Sequence, residues 1–76
     1  MSRLPVVSGR EAVKAFERVG YAVDRQKGSH IQLRQVAAPH RRLTVPDHRT
    51  LAKGLLRAHI RDAGLTVEEF RDLLRS

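Results

Sequence analysis

Apolar residues first recur at helical spacing after position 9. The stripe consists of Ala12, Ala15, Phe16 and Val19. This spacing places the four side chains on one side of a helix. Ser8 and Glu11 have the spacing of a capping box, in which each side chain satisfies a free backbone amide of the first turn. Gly20 follows the stripe, and glycine readily adopts the left-handed conformation that ends helices. We therefore predict a first helix between Ser8 and Gly20.

From Tyr21 the apolar period changes to two, which is typical of strands. Tyr21 and Val23 alternate with Ala22 and Asp24, and the pair Gly28-Ser29 then reverses the chain. We predict two antiparallel strands joined by a tight turn at Gly28-Ser29.

The second of these strands has two distinct faces. Ile31 and Leu33 are predicted to point inward, which leaves His30, Gln32 and Arg34 on the opposite face. A further turn at residues 38–41 leads to a short third strand at residues 42–45, which is followed by Pro46. Because proline cannot donate a hydrogen bond to a neighbouring strand, we expect the third strand to end there.

Helical spacing returns in the last third of the chain. The first stripe there consists of Ala52, Leu55, Leu56, Ile60 and Ala63. Gly64 is placed to end this helix, and Thr50 is expected to cap its beginning. Thr66 and Glu69 form a second capping box, which predicts a third helix with Phe70, Leu73 and Leu74 on its inner side.

The element order predicts an α+β fold in two layers. A helix, three strands and two helices would form a three-stranded antiparallel sheet with the helices on one face. At 76 residues the chain is predicted to be a single domain, 1–76, in which residues 1–7 are extended or flexible. A core of this size buries roughly 60% of the unfolded surface and leaves no room for a deep cofactor pocket. We therefore expect no cofactor.

Composition excludes several classes of protein. The chain has no cysteine, which excludes disulfides, thiolate catalysis and cysteine-based zinc sites. It has no apolar run approaching the ~18 residues of a membrane span, and its first residues lack the apolar core of a signal peptide. We expect a cytoplasmic protein with no membrane partner.

The positive charge is concentrated in the middle of the chain. Residues 21–61 hold nine basic residues against two acidic ones, whereas residues 1–20 hold four against two and residues 62–76 hold two against four. A concentrated basic surface favours nucleic acid, because neutralised phosphates release condensed counterions. The alternatives are a solvated surface and a surface that binds an acidic protein.

The segment 24–31 carries the strongest chemical signal. His30 follows the predicted turn directly, and Arg25 and Lys27 precede it. Imidazole is the side chain that most readily exchanges a proton near neutral pH, and the cations can hold a phosphate beside it. His30 can therefore act as the general base that removes the proton of a ribose 2′-hydroxyl, while Arg25, Lys27 or Arg34 stabilises the charge on phosphorus. The alternative is that His30 only binds phosphate.

The other histidines have simpler interpretations. His59 lies in the stripe of the second helix and is expected to be partly buried and hydrogen-bonded, and His40 in a turn is expected to be solvated. His48, after Pro46, is a possible RNA contact. No His-x-x-x-His pair occurs, and the only carboxylates near His30 and His48 in sequence are Asp24 and Asp47. We therefore expect no metal site.

The residues quoted so far occur in an order that resembles the HicA toxin family. The matching elements are Ser8-Gly9, Val19-Gly20-Tyr21, the run 25–30, Val45-Pro46-Asp47-His48, residues 51–56, Ala63-Gly64 and Glu68-Glu69-Phe70. The resemblance extends from Ser8 to Leu74. In this chain Ile31 stands where many relatives have another histidine or an aromatic residue, so His30 is the only imidazole of the turn.

The resemblance implies a small mRNA interferase with a fold like a double-stranded-RNA-binding domain. It implies a toxin of a type II toxin–antitoxin system, which cuts messenger RNA without a metal and is neutralised by a HicB-type antitoxin that covers its catalytic face. The catalytic role falls on His30, supported by the turn residues Gly28 and Ser29. The residues that we predict to bind RNA phosphates are Arg25, Lys27, Arg34, Arg41, Arg42 and Lys53.

Two other classes of function remain open. A non-catalytic RNA-binding module would bind RNA through the same basic surface without cutting it. An adaptor would use the open face of the sheet to bind an acidic protein and would show no affinity for RNA. A helix-turn-helix DNA-binding protein is disfavoured, because the last helix carries Glu68, Glu69 and Asp72 where a groove-reading helix needs cations.

Overall fold

The computed structural model describes residues 3–76 and contains three helices and three strands. In chain order these are α1 (Gly9–Glu17), β1 (Tyr21–Lys27), β2 (His30–Gln35), β3 (Arg42–Pro46), α2 (Lys53–Asp62) and α3 (Val67–Leu74). The strands form one antiparallel sheet in the order β1-β2-β3. The predicted α+β fold, with its resemblance to a double-stranded-RNA-binding domain, is confirmed.

Both predicted capping boxes are present. The Glu11 amide donates to Ser8 Oγ at 3.1 Å, and Glu11 Oε1 accepts a hydrogen bond from the Ser8 amide at 2.8 Å. The hydrogen bond from the Ser8 amide lowers the pKa of the Glu11 carboxyl, and the Ser8 side chain lowers it further. Thr66 and Glu69 make the same pair of bonds at the start of α3, at 3.1 and 2.8 Å. Each box satisfies two amides of a first turn, so short segments of sequence fix where α1 and α3 begin.

The core lies between one face of the sheet and the helices. Phe16 of α1 packs against Phe70 of α3 with ring centroids 5.3 Å apart, and both side chains are fully buried. The sheet contributes Ile31, Leu33, Leu43 and Val45 to the same buried cluster. We call the sheet face with these four residues the inner face and the opposite one the outer face.

A bulge in β1 changes which side chains share a face. Val23 pairs with Leu33, but the next pair is Arg25 with Gln32, so Asp24 has no direct partner. Directly paired residues of antiparallel strands point to the same side of the sheet. The extra residue therefore brings Arg25 and Lys27 to the outer face, whereas strict alternation from Tyr21 would have placed them on the inner face.

Two local expectations are wrong. Helix α2 begins at Lys53 with Ala52 as its N-cap, and no side chain caps it, so Thr50 does not have the predicted role. Val19 lies beyond the end of α1 and is 36% exposed, so it does not belong to the buried stripe.

The segment before α1 is attached to the rest of the fold at Val7. Residues 1 and 2, which belong to the segment 1–7 predicted to be extended or flexible, lie outside the described residues. Residues 3–7 form no helix or strand, yet Val7 is buried, and its carbonyl accepts a 2.8 Å hydrogen bond from the Leu51 amide.

Within residues 3–76 no helix has the length and apolar character needed to cross a membrane.

Candidate functional site

The turn before His30 is a two-residue hairpin loop. Lys27 and His30 are the last pair of β1 and β2, and Gly28 and Ser29 form the loop between them. Gly28 has φ of +59°, whereas Ser29 has no positive φ. Glycine at the first loop position with a positive φ is the pattern of a type II′ turn, whose twist matches that of the strands. The Gly-Ser sequence therefore produces the tight turn that was predicted.

His30 lies on the outer face beside one cation. Its direct partners are Lys27 on β1 and Pro46 on β3. The side chain is exposed, and its ring makes no hydrogen bond to any of residues 3–76. The His30 side chain is therefore open to the solvent on the outer face and free to meet a ligand there.

Three of the predicted phosphate-binding residues share the outer face with His30. Arg25 is paired with Gln32, the residue two positions after His30 on β2, and Arg34 is two positions further along. Arg25, Lys27 and Arg34 are exposed and form no ion pair within the described residues. They are therefore free to bind an anion.

Arg42 is also on the outer face but already has a partner. It is paired with Arg34 across β2 and β3, and its guanidinium lies 3.5 Å from the carboxylate of Asp24. Two like charges directly opposite each other repel, and Asp24 reduces this repulsion from one side. An anion bound between the two arginines would reduce it further.

Three other predicted residues lie outside the strand pairs that contain His30 and its neighbours. Arg41 precedes β3 at the end of the sheet away from the turn, where its carbonyl accepts a hydrogen bond from the Gln35 amide. Its charge opposes the effect of burial, which raises the pKa of the Tyr21 phenol. Lys53 is exposed at the start of α2. The exposed His48 follows β3, and its backbone carbonyl, rather than its ring, makes a contact with α1, at the Gly9 amide.

Sequence reasoning missed a group of contacts that hold the turn. The Asp47 amide donates a 2.6 Å hydrogen bond to the Ser29 carbonyl, and Gln26 Nε2 donates to the Gly28 carbonyl at 3.1 Å. The carboxylate of Asp47 accepts hydrogen bonds from Arg10 at 2.9 Å and from Gln26 at 3.5 Å. No local pattern indicates these contacts, because they join α1, the turn and the end of β3.

The remaining histidines are placed as predicted. His59 is partly buried and donates from Nε2 to the Thr44 carbonyl at 2.8 Å. His40 is exposed, with φ of +57° and a 3.1 Å hydrogen bond from Nδ1 to the Gln35 carbonyl. Among residues 3–76 no three histidine or acidic side chains are close enough together to hold a metal ion.

The comparison with known proteins agrees with the resemblance drawn from the residues. No curated protein matches the chain. The family model described as the HicA toxin of bacterial toxin–antitoxin systems matches residues 9–65 of the 76-residue chain. The match includes α1, the whole sheet and α2, and α3 lies beyond it. The protein is therefore a member of the HicA toxin family, the toxin component of a toxin–antitoxin system, whose partner is an antitoxin.

Proposed function

We propose that this HicA-family protein is an endoribonuclease that cuts messenger RNA with His30 as its general base. The observation that carries the proposal is the position of His30. Its ring is exposed on the outer face, directly opposite Lys27, and is free of hydrogen bonds to residues 3–76. A neutral imidazole with an accessible nitrogen can accept a proton from a substrate that lies on this face.

The reaction that fits these groups is an internal transesterification. An imidazole nitrogen of His30 takes the proton of a ribose 2′-hydroxyl, and the 2′-oxygen attacks the adjacent phosphorus. The bond from phosphorus to the 5′-oxygen breaks, and water supplies the proton that this leaving oxygen takes up. The products are a 2′,3′-cyclic phosphate and a 5′-hydroxyl end.

The neighbouring cations supply the electrostatic part of this mechanism. Side chains of directly paired residues have Cβ atoms about 4.5–5.5 Å apart, and those of diagonal neighbours are about 7–8 Å apart. Lys27 is the direct neighbour of His30, and Arg25 is a diagonal one. Both can stabilise the negative charge that develops on the phosphoryl oxygens. Arg34 and Arg42, further along the outer face, can hold a flanking phosphate. Outside these strand pairs, Arg41, Lys53 and His48 are further candidates for RNA contacts.

The same face supports binding of a HicB-type antitoxin. An acidic surface laid over Arg25, Lys27 and Arg34 would neutralise charges that have no partner in residues 3–76 and would block access to His30. Acetylation of lysines tests this in a complex with a HicB-type antitoxin. Lys27 should become protected, whereas Lys14, which is exposed on α1 in the other layer, should stay reactive.

The decisive experiment compares wild type with His30→Ala on a single-stranded RNA of mixed sequence, in the presence of a chelator. Wild type should produce 2′,3′-cyclic phosphate ends and leave DNA of the same sequence intact. His30→Ala should lose about 10²–10⁴-fold in rate, the usual contribution of a positioned general base, and should keep its affinity for RNA.

A second histidine provides the matched control. His40→Asn removes an imidazole at the other end of the sheet, and asparagine tolerates the positive φ of this position. This variant should cut RNA at the wild-type rate. Wild type that binds RNA without cutting it would identify a non-catalytic RNA-binding module instead, and equal cleavage by His30→Ala would move the role of base to another residue.

A further inference from the structure

Both carbonyl groups of the turn accept hydrogen bonds from residues outside it. Gly28 O receives Gln26 Nε2 at 3.1 Å, and Ser29 O receives the Asp47 amide at 2.6 Å. A two-residue loop at the exposed tip of a hairpin makes few contacts of its own. These two bonds therefore restrict the backbone that immediately precedes His30.

The side chain of Asp47 links the two donors, because its carboxylate contacts Gln26 and its own backbone amide is the other donor. Asp47 Oδ2 accepts a hydrogen bond from Gln26 at 3.5 Å, which orients the amide that reaches Gly28. It also accepts a stronger bond from Arg10 of α1 at 2.9 Å. The side chain of Asp47 is 27% exposed and that of Arg10 is 67% exposed, so only the carboxylate of this pair is shielded from solvent.

Helix α1 holds the segment around Asp47 from the other side. The Gly9 amide donates to the His48 carbonyl at 2.9 Å. A Cβ atom built on Gly9 would collide with the Pro46 carbonyl oxygen, so the backbones of α1 and β3 approach as closely as glycine permits. A continuous series of contacts therefore connects α1 to the exposed turn.

We infer that Gln26 and Asp47 are positioning residues for His30, which hold the Gly28-Ser29 turn so that the ring meets the 2′-hydroxyl in a productive geometry. The inference rests on the proposed ribonuclease activity and names the part of the molecule that supports it. The ring has no hydrogen bond to residues 3–76 that would fix it directly, so its location depends on the backbone. A displacement of the His30 ring by about 1 Å can lower the rate of the chemical step on the order of 10²-fold.

Gln26→Met is the sharpest test, because methionine has similar length and no charge but cannot donate hydrogen bonds. We expect kcat to fall by about tenfold to 100-fold, while KM stays within about twofold because the phosphate-binding cations are unchanged. Amide hydrogen exchange at residues 27–30 should become faster in this variant. Asp47→Asn is the second variant. It weakens the contact with Arg10 and should lower kcat in the same way.

Two matched controls separate positioning from general loosening. Gln35→Met also removes a glutamine side chain that bonds to the backbone, in this case by accepting a hydrogen bond from the Arg41 amide at 2.9 Å, but at the opposite end of the sheet. Asp62→Asn removes a carboxylate from a surface ion pair with Arg61 at 3.8 Å and makes the same change in net charge as Asp47→Asn. Both controls should keep wild-type kcat.

The outcomes are distinguishable. An unchanged kcat in Gln26→Met and Asp47→Asn overturns the positioning role, even if the turn exchanges faster. An equal loss in Gln35→Met overturns it as well, because the effect would then come from any loosening of the sheet. Failure of wild type itself to cut RNA overturns the ribonuclease proposal and the positioning role together, and only that result does so.

Discussion

His59 Nε2 donates a 2.8 Å hydrogen bond to the backbone carbonyl of Thr44, and this bond connects α2 to the edge of β3 that is not paired with β2. Thr44 is paired with Gln32 on β2, but its carbonyl is directed away from that strand and toward the helix. Because a carbonyl can only accept, Nε2 of the His59 ring carries a proton. The bond satisfies a backbone group on a strand edge that would otherwise be open to another chain.

Replacing His59 with alanine should therefore destabilise the fold. The variant loses a hydrogen bond worth about 1 kcal/mol and an edge-to-face contact with Phe16, whose centroid is 6.5 Å away. We expect urea denaturation to show a free energy of unfolding lower by about 1–3 kcal/mol. Arg57→Ala, on an exposed position of the same helix, should change it by less than about 0.5 kcal/mol. Equal effects of the two variants would mean that the His59–Thr44 bond contributes nothing.

Gly9→Ala should destabilise the protein through a collision. The added methyl group meets the carbonyl oxygen of Pro46, so α1 and the end of β3 must separate, at a cost of about 1–3 kcal/mol. Gly54→Ala is the control, since nothing lies within 4 Å of its added methyl group. At this helical position alanine is favoured over glycine by up to about 1 kcal/mol. The midpoint of thermal denaturation should therefore fall for Gly9→Ala and rise for Gly54→Ala.

Tyr21→Phe should stabilise the protein near neutral pH. The side chain is 3% exposed, and its buried hydroxyl has no hydrogen-bond partner within residues 3–76. A buried hydroxyl without a partner costs about 1–3 kcal/mol, which the phenylalanine variant avoids. Urea denaturation at pH 7 measures the difference. A less stable variant would show that the hydroxyl does contribute to stability.

Tyr21 should also make the stability of the protein depend on pH under alkaline conditions. Burial raises the pKa of the Tyr21 phenol above its ordinary value of 10.0, so the folded state holds this proton more tightly than the unfolded state does. The stability that this tighter proton binding gives the folded state is fully present below about pH 10. It is lost as the pH rises through the folded-state pKa. Stability measured from pH 8 upward should therefore fall more steeply in wild type than in Tyr21→Phe. Parallel curves for the two proteins would contradict this.

RNA binding should depend on salt through the cations of the outer face. Each phosphate contact to a single strand contributes about −0.7 to the slope of log affinity against log salt concentration. In a His30→Ala background, which prevents cleavage, Arg25→Ala and Lys27→Ala should each make the slope shallower by about this amount. Arg75→Ala removes the same charge after α3 and should leave the slope unchanged. A slope that none of the three changes would place the RNA elsewhere.

The parts of the fold that were predictable depend on residues close together in the chain. The capping boxes at Ser8 and Thr66 and the turn at Gly28-Ser29 each need four residues or fewer, and all three are present. The start of α2 was mispredicted because Thr50 resembles a capping residue, whereas the helix begins at Lys53 after Ala52 with no side-chain cap. A tertiary contact, the hydrogen bond from the Leu51 amide to the Val7 carbonyl, holds the chain directly before that helix.

The candidate site was predictable only in part, for a similar reason. His30, with Gly28 and Ser29, stood out because the turn and the histidine are adjacent in sequence. Asp47 did not, since its contact with Ser29 joins residues 18 positions apart, and its partner Arg10 is 37 positions away. Such contacts depend on how the sheet and α1 pack together, which residue spacing alone does not specify.

The bulge at Asp24 makes the charge of the outer face depend on how β1 pairs with β2 as well as on which residues β1 contains. Pairing the same residues without a bulge would turn Arg25 and Lys27 toward the helices, with every cation still present in the chain. Loss of the bulge would thus remove two cations from the surface around His30 without altering the histidine or the net charge of the chain. Removing Asp24 itself would leave both cations on the outer face, because Arg25 would then follow Val23 in strict alternation.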